Sequence, residues 1–431
     1  MTPSRPDPSA PAGDEIQRSV LSSGIRVVTE RMPEARSVTA GFWLSIGSRD
    51  EPAELSGASH FLEHLLFKGT ARRTARDIAE AIDAVGGEMN AFTAKEHTAY
   101  YARLPAGELE LGLDVLSDVV TQPAFRPNEV EAERLVILEE LLMDEDDPDE
   151  MVHTLLYEAL FPDHPLGLET VGTRETIESM TRDEIAGFFA DHYHPVNLVV
   201  AAAGSLDHDQ VVAGVEACFD DRVGGERPPR WAPEAPPAPL VVRRRDTEQA
   251  HVALGWRGVP FDDPDRYALA VLNQVLGGGM ASRLFQEVRE ERGLAYSVGS
   301  GTSMFADAGA VVVYVGTALG RSTEALRVID GVIDGLVADG ITGRELEVAK
   351  GYLAGSMVLG LEDSGSRMGR LGSSETVRGF VTSVDEHLAR IDAVSLEDVH
   401  RVAMRVLGAP RTLAAVGPFD ESRFEPLLPR S

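Results

Sequence analysis

His60 and His64 stand four residues apart, with Glu63 between them, in the segment His60-Phe61-Leu62-Glu63-His64. On a helix this spacing puts both imidazoles one turn apart on a single face, where they can share one zinc ion at about 2.0–2.1 Å each. Glu63, three residues after His60, falls on the same face and within reach of a water activated by the metal. A carboxylate there can take the proton of that water as it attacks a carbonyl. The order H-x-x-E-H reverses the commoner H-E-x-x-H. With 11 histidines and 70 acidic residues in 431, the pattern arises by chance about 0.05 times in such a chain. The residues therefore favour a metal over an ordinary surface helix carrying two histidines. A catalytic zinc also needs a third protein ligand and an open position. The helix-like run 127–143 offers several carboxylates for it.

Residues 60–70, His-Phe-Leu-Glu-His-Leu-Leu-Phe-Lys-Gly-Thr, closely resemble the active-site helix of the pitrilysin/insulinase family. The branch they resemble most is the mitochondrial processing peptidase-like one, with its short bacterial members. The resemblance implies a third zinc ligand at Glu140, 76 residues after His64, and a second functional carboxylate at Glu133, seven residues before it. Seven residues is nearly two helical turns, so these two carboxylates share a face, whereas Glu139 is turned away by about 100°. Glu133 would support the site or handle protons. Residues 86–93, Gly-Gly-Glu-Met-Asn-Ala-Phe-Thr, followed by 96–101, resemble the edge strand of the family. Asn90 and Ala91 are then the expected contacts for the backbone of an extended peptide. Arg289 and Tyr296 match the Arg-x6-Tyr pair of the family; Tyr296 would donate to a tetrahedral oxyanion and Arg289 would hold a substrate carbonyl. The purely structural alternatives are a solvated helix carboxylate for Glu133, an ordinary strand for Asn90 and Ala91, and a surface Arg with a core Tyr for the last pair. His97 reads as structural, and His153, His164, His192, His194 and His208 lack metal-ligand spacing. The glycines at 277–279 are not followed by Gly-Lys-Ser/Thr, so a phosphate loop is excluded.

These residues need a scaffold, and 431 residues suggest two to four domains. Residues 1–14, rich in Pro and Ser, read as a disordered arm. A Pro-rich stretch at 224–240 can continue neither a helix nor a central strand and reads as a linker. It separates a catalytic zinc-binding domain at 15–223 from a degenerate second domain at 241–431. Both open on β-type segments, 24–29 and 38–46 in the first, 249–255 in the second. Helical regions follow at 58–68 and 75–85, and at 266–276 and 282–292. Strand regions come next at 90–103 and 310–315, then amphipathic helices, and each part closes on an apolar strand, 198–203 or 412–416. The shared order suggests a diverged duplication. The fold class is α+β, two homologous domains, each a mainly antiparallel sheet with helices packed on one face.

The formal net charge of −30 excludes nucleic acid, which needs a basic face. It describes either a solubilising surface or an acidic cavity that attracts basic, extended peptides. The single cysteine, Cys218, excludes an internal disulfide and a Cys-based zinc cluster. The longest apolar run, near 308–316, is far shorter than the roughly 20 residues of a membrane span. No charged-then-apolar N-terminal pattern is present, and a cytoplasmic location is expected. Long family members enclose a chamber with four such domains. With two per chain, the resemblance implies a homodimer in which Arg289 and Tyr296 serve the zinc of the other subunit. The expected activity is that of a zinc endopeptidase, one zinc per chain, acting on unfolded peptides or presequence-like segments. A non-catalytic family subunit would lack the zinc set, and a nucleotide-binding regulator would need a phosphate cradle.

Overall fold

Leu198-Val-Val-Ala-Ala-Ala-Gly204 is buried at every position, without the alternation of a half-exposed strand. Such a run belongs to a strand covered on both faces. The computed structural model describes residues 16–219 and 225–428; the arm expected at 1–14 lies outside the described residues. A first sheet is built from β1 (Ile16–Val20), β2 (Arg26–Arg31), β3 (Ser37–Leu44), β4 (Glu88–Thr93), β5 (Thr98–Pro105) and β6 (Leu198–Gly204), in the order β1-β2-β6-β3-β5-β4. A second contains β7 (Leu240–Arg244), β8 (Gln249–Arg257), β9 (Ala295–Met304), β10 (Gly309–Ala318) and β11 (Thr412–Gly417), in the order β7-β11-β8-β10-β9. Apart from β1, the two orders coincide place by place. In each, only one pair is parallel, β2 with β6 and β7 with β11. The fold is thus α+β with two homologous, mainly antiparallel halves.

The helices of the first half are α1 (Ala58–Leu66), α2 (Ala75–Asp83), α3 (Leu109–Thr121), α4 (Pro127–Asp146), α5 (Pro148–Leu160), α6 (Arg174–Ser179), α7 (Arg182–His192) and α8 (His208–Cys218). Those of the second are α9 (Arg266–Leu276), α10 (Ser322–Asp339), α11 (Gly343–Gly360), α12 (Ser364–Arg378), α13 (Val384–Asp392) and α14 (Leu396–Val406). Each sheet carries helices of its own half on one face; Phe42, Tyr100 and Val200 pack there with Phe61, Leu62 and Leu116. The second face is covered by a helix of the other half. Val28, Trp43 and Val199 meet Met368 and Leu371 of α12, while Leu155, Leu156 and Leu160 of α5 lie on Ala253, Ala310 and Ala414. Gly372 makes the first of these contacts possible, because a Cβ there would sit 2.1 Å from the Trp43 indole.

Buried charges reinforce the exchange. Glu30 on β2 accepts from Arg367 and Arg370 of α12, and Glu375 accepts from Arg18 at 3.0 Å and Arg26 at 3.4 Å. Both carboxylates are fully buried and each faces two guanidinium groups, so losing both partners would strand a charge at a cost of about 3–5 kcal/mol. The proline-rich connection holds no helix or strand over 225–239, yet it is pinned. Ala238 donates to the Ala159 carbonyl at 2.8 Å, and Arg257 donates to the carbonyls of Pro233 and Ala235.

Three local expectations change. The strand region 90–103 is a hairpin, β4 and β5 turning where Ala94 donates to the His97 carbonyl at 2.8 Å. The helix expected over 282–292 is π-helical at Phe285–Glu290, and Glu291 donates five residues back to Gln286 at 2.9 Å. Strand β9, rich in Gly and Ser, had no apolar alternation to announce it.

Candidate active site

Helix α1 buries Ala58, Phe61, Leu62, Leu65 and Leu66 in the core of the first half, which leaves His60, Glu63 and His64 along its half-buried edge. Helix α4 buries Val130, Glu133, Ile137 and Leu141, and Glu140 lies beside this stripe. The two helices pack together and bring the predicted set into one place. The His60 and His64 rings lie 4.7 Å apart, centre to centre. Glu140 Oε2 is 3.8 Å from His60 Nε2 and 3.5 Å from His64 Nε2. Four-coordinate zinc with bonds of about 2.0–2.2 Å spaces its ligand atoms by about 3.3–3.5 Å, close to these separations. Glu139 is exposed on the outer side of α4.

Hydrogen bonding and burial prepare these atoms for a cation. Glu140 Oε2 is buried and has no hydrogen-bond partner, an arrangement that calls for a positive group. Burial, and then the neighbouring His64, lower the His60 pKa to about 4, which keeps the imidazole neutral and its lone pair available. His64 Nδ1 lies 3.1 Å from Glu133 Oε2, and the other Glu133 oxygen accepts from Lys68 Nζ at 2.7 Å. The tautomer this contact selects has Nδ1–H donating to Glu133 and Nε2 free toward Glu140. Two imidazole nitrogens and one carboxylate, whose Oε2 is buried and unpaired, fit a catalytic zinc site. Glu63 sits at the same edge of α1. Burial raises its carboxyl above the ordinary 4.5, with Thr93 and His64 pulling it back and Glu140 pushing it further up.

Strand β4 is the outermost of its sheet and pairs only with β5. Asn90 is exposed there, and its Oδ1 accepts from Ala91 N at 2.8 Å. Leu141 of α4 lines a cavity of about 600 Å³ where Asp144, Glu145, Asp146, Glu150, Glu158 and Glu169 outnumber Arg174, Arg243 and Arg245. Burial, and then Glu169, raise the carboxyls of Asp144 and Glu158. His97 is wedged between the Trp43 and Phe92 rings, away from the metal set.

Arg289 and Tyr296 are brought together but not to this cluster. Arg289 Nη1 donates to the Tyr296 carbonyl at 2.9 Å, and the guanidinium lies 4.5 Å from the centre of the Tyr296 ring, which is 79% exposed. Among the described residues, their recorded polar and ring contacts include none to His60, His64 or Glu140. Two supporting residues escaped the sequence reading: Lys68, one helical turn past His64, and Glu51, whose oxygens accept from Gly57 N and Ser59 N at 2.7 Å each.

Residues 26–174 match the family described as insulinase (peptidase family M16), and residues 179–353 match the peptidase M16 inactive domain. The second description suits a part of the chain without a His-Glu-His element. An uncharacterized zinc protease of Streptomyces coelicolor is 48% identical over 417 residues, 95% of this chain and 91% of that protein. One of Bacillus subtilis is 40% identical over 408 residues, 94% of this chain and 98% of its own length. Among solved structures, a peptidase M16 inactive domain from Pseudomonas fluorescens superimposes with a TM-score of 0.88 at 23% identity, over 94% of this chain and 98% of that one. A protease from Helicobacter pylori does so with a TM-score of 0.86 at 23% identity, over 94% and 100%. Matched along nearly its whole length, the chain belongs to the insulinase family of peptidases, family M16.

Proposed function

We propose that this protein is a zinc endopeptidase that hydrolyses unfolded peptides or presequence-like segments, with one zinc per chain held by His60, His64 and Glu140. The observation that carries the reading is the unpaired, buried Glu140 Oε2 facing two imidazole nitrogens, one of them oriented by Glu133. When bound, zinc supplies Lewis-acid activation of water and of the scissile carbonyl. Glu63 takes the proton of the attacking water and later delivers it to the leaving amine. Glu133 keeps His64 in the ligating tautomer.

The open edge of β4 accepts the substrate as an added strand, with Asn90 and Ala91 at the contact. Main-chain pairing of this kind binds many sequences, and the acidic cavity lined by Leu141, Asp144 and Glu150 favours basic ones. Tyr296, solvent-exposed, and the half-buried Arg289 make no contact, among the described residues, with the metal cluster of their own chain and serve the site of a second subunit in a homodimer. No described helix is long and apolar enough to cross a membrane; the proposed location is the cytoplasm. The test is cleavage of quenched peptides by wild type and Glu63→Gln, with zinc measured in both. Glu63→Gln should keep its zinc and lose turnover; retained hydrolysis would refute the role of Glu63, and an inert wild type with zinc bound would refute the enzyme.

A further inference from the structure

Just before the metal helix, Arg49, Asp50 and Glu51 are three ionisable side chains in a row, and each is answered by a different part of the chain. Arg49 donates to Glu96 Oε1 at 2.6 Å and to Asp307 Oδ2 at 2.7 Å, and so joins the β4–β5 turn to the β9–β10 turn of the second half. Glu96 also accepts from Ala306 N at 3.0 Å. Asp50 accepts from Arg230 of the connecting segment at 2.9 and 2.7 Å, while Arg49 donates to the Trp231 carbonyl at 2.5 Å. Glu51 turns the other way, toward α1.

The first turn of a helix leaves its N–H groups without partners, and a side chain at the N-cap usually takes one. Here the N-cap is Gly57, which has no side chain, at φ +96°. A Cβ there would lie 2.5 Å from the Val171 carbonyl, so no capping residue fits. Glu51 supplies the cap from six residues upstream: Oε2 accepts from Gly57 N and Oε1 from Ser59 N, both at 2.7 Å. Burial pushes its carboxyl up to about 8, with the Ser59 and Gly57 N–H bonds pulling it back, so the cap acts through its two hydrogen bonds. Ser59 immediately precedes His60, and the direction of the first turn fixes where His60, and one turn later His64, point.

We propose that Glu51 is a positioning residue of the metal site, capping α1 and, through Arg49 and Asp50, holding His60, Glu63 and His64 in fixed relation to the second half of the chain. The proposal rests on the zinc reading above, but the cap itself can be measured without metal.

The experiment uses the full chain and Glu51→Gln, whose amide can accept from only one of the two N–H groups. Hydrogen–deuterium exchange across 57–62, in metal-free protein, reads the cap; zinc affinity by chelator competition, the absorption of the cobalt-loaded protein, and kcat against KM read the site. Expected are faster exchange at 57–62, an altered cobalt band, zinc binding weaker by about tenfold, and a similar loss confined to kcat. Wild-type exchange in the variant would overturn the cap. Faster exchange with wild-type cobalt absorption, zinc affinity and kcat would overturn the positioning role. A wild type that binds no zinc would instead count against the zinc reading and leave the exchange result to decide the cap. Should Glu51→Gln not fold, Asp307→Asn, outside the site, decides: faster exchange at 57–62 and kcat lower by about threefold support the link, and wild-type values for both refute it.

Discussion

His64 and Glu133 meet across two helices, Nδ1 to Oε2 at 3.1 Å, and this contact turns the ligating nitrogen of the histidine toward Glu140. Lys68, at 2.7 Å from the second Glu133 oxygen, completes the support. Glu133→Ala should weaken zinc binding by about 10–100-fold with the fold intact. Chelator competition on the purified variant checks this, and unchanged affinity would make Glu133 a bystander to the metal.

The stability of the protein should fall as the solution is acidified below the histidine range, and His97 should account for part of the fall. Burial, and then Arg230, lower its pKa from 6.5 to about 4. A group whose pKa is depressed by folding stabilises the native state above its unfolded value, and that contribution is lost as pH drops through the folded one. The window is therefore from 6.5 down to about 4, and the shift corresponds to about 3 kcal/mol when complete. Urea unfolding of metal-free wild type and His97→Gln across this window should show a shallower pH dependence in the variant. Parallel curves would contradict it.

The order of elements was legible before the structure because it rests on local signals. Residues 266–276 form α9 as expected, since their apolar spacing ends at Gly277. The buried strands β6 and β11 show as short apolar runs. What stayed hidden depends on contacts between distant parts. The exchange of α5 and α12 between the sheets leaves no local mark, because burial against another half looks the same as burial at home. Strand β9 places Ser and Gly where most strands place Val or Ile, and the π turn before it has no sequence signature.

The site shows the same division. His60, Glu63 and His64 declare themselves by spacing on one helix. Helix α4 carries Glu129, Glu131, Glu133, Glu139, Glu140 and Glu145, and spacing alone cannot say which of them meets α1. The family resemblance singled out Glu140 and Glu133, and the packing places both at the histidines. Glu51 had no signal at all, since a cap delivered from upstream follows no helical period.

The acidic cavity at the C-terminal end of α4, lined by Leu141, Asp144 and Glu145, should make the enzyme sensitive to salt in a substrate-dependent way. Screening shortens electrostatic reach to about 10 Å at 0.1 M salt. The kcat/KM for a peptide carrying several Lys or Arg should fall steeply with added salt, while that of a neutral peptide changes little. The same response from both peptides would show that the charge of −30 only solubilises the surface.

The Arg289–Tyr296 pair, with its exposed Tyr296 ring, makes the dimer testable by mixing. Glu63→Gln chains and Tyr296→Phe chains, each weak alone, should regain activity when refolded together, because one site in each mixed dimer is then intact. No gain, with mixed dimers verified by mass, would place Arg289 and Tyr296 outside the active site of the partner.

The central claim is that Glu140 closes a zinc site with His60 and His64, and that this site cleaves peptides. It is tested most directly by measuring zinc per chain and peptide hydrolysis in the same samples of wild type, Glu140→Gln and Glu139→Gln. Wild type and Glu139→Gln should both hold zinc and cleave, while Glu140→Gln loses the metal and the activity together. Zinc and turnover retained in Glu140→Gln, or lost in Glu139→Gln instead, would contradict the account.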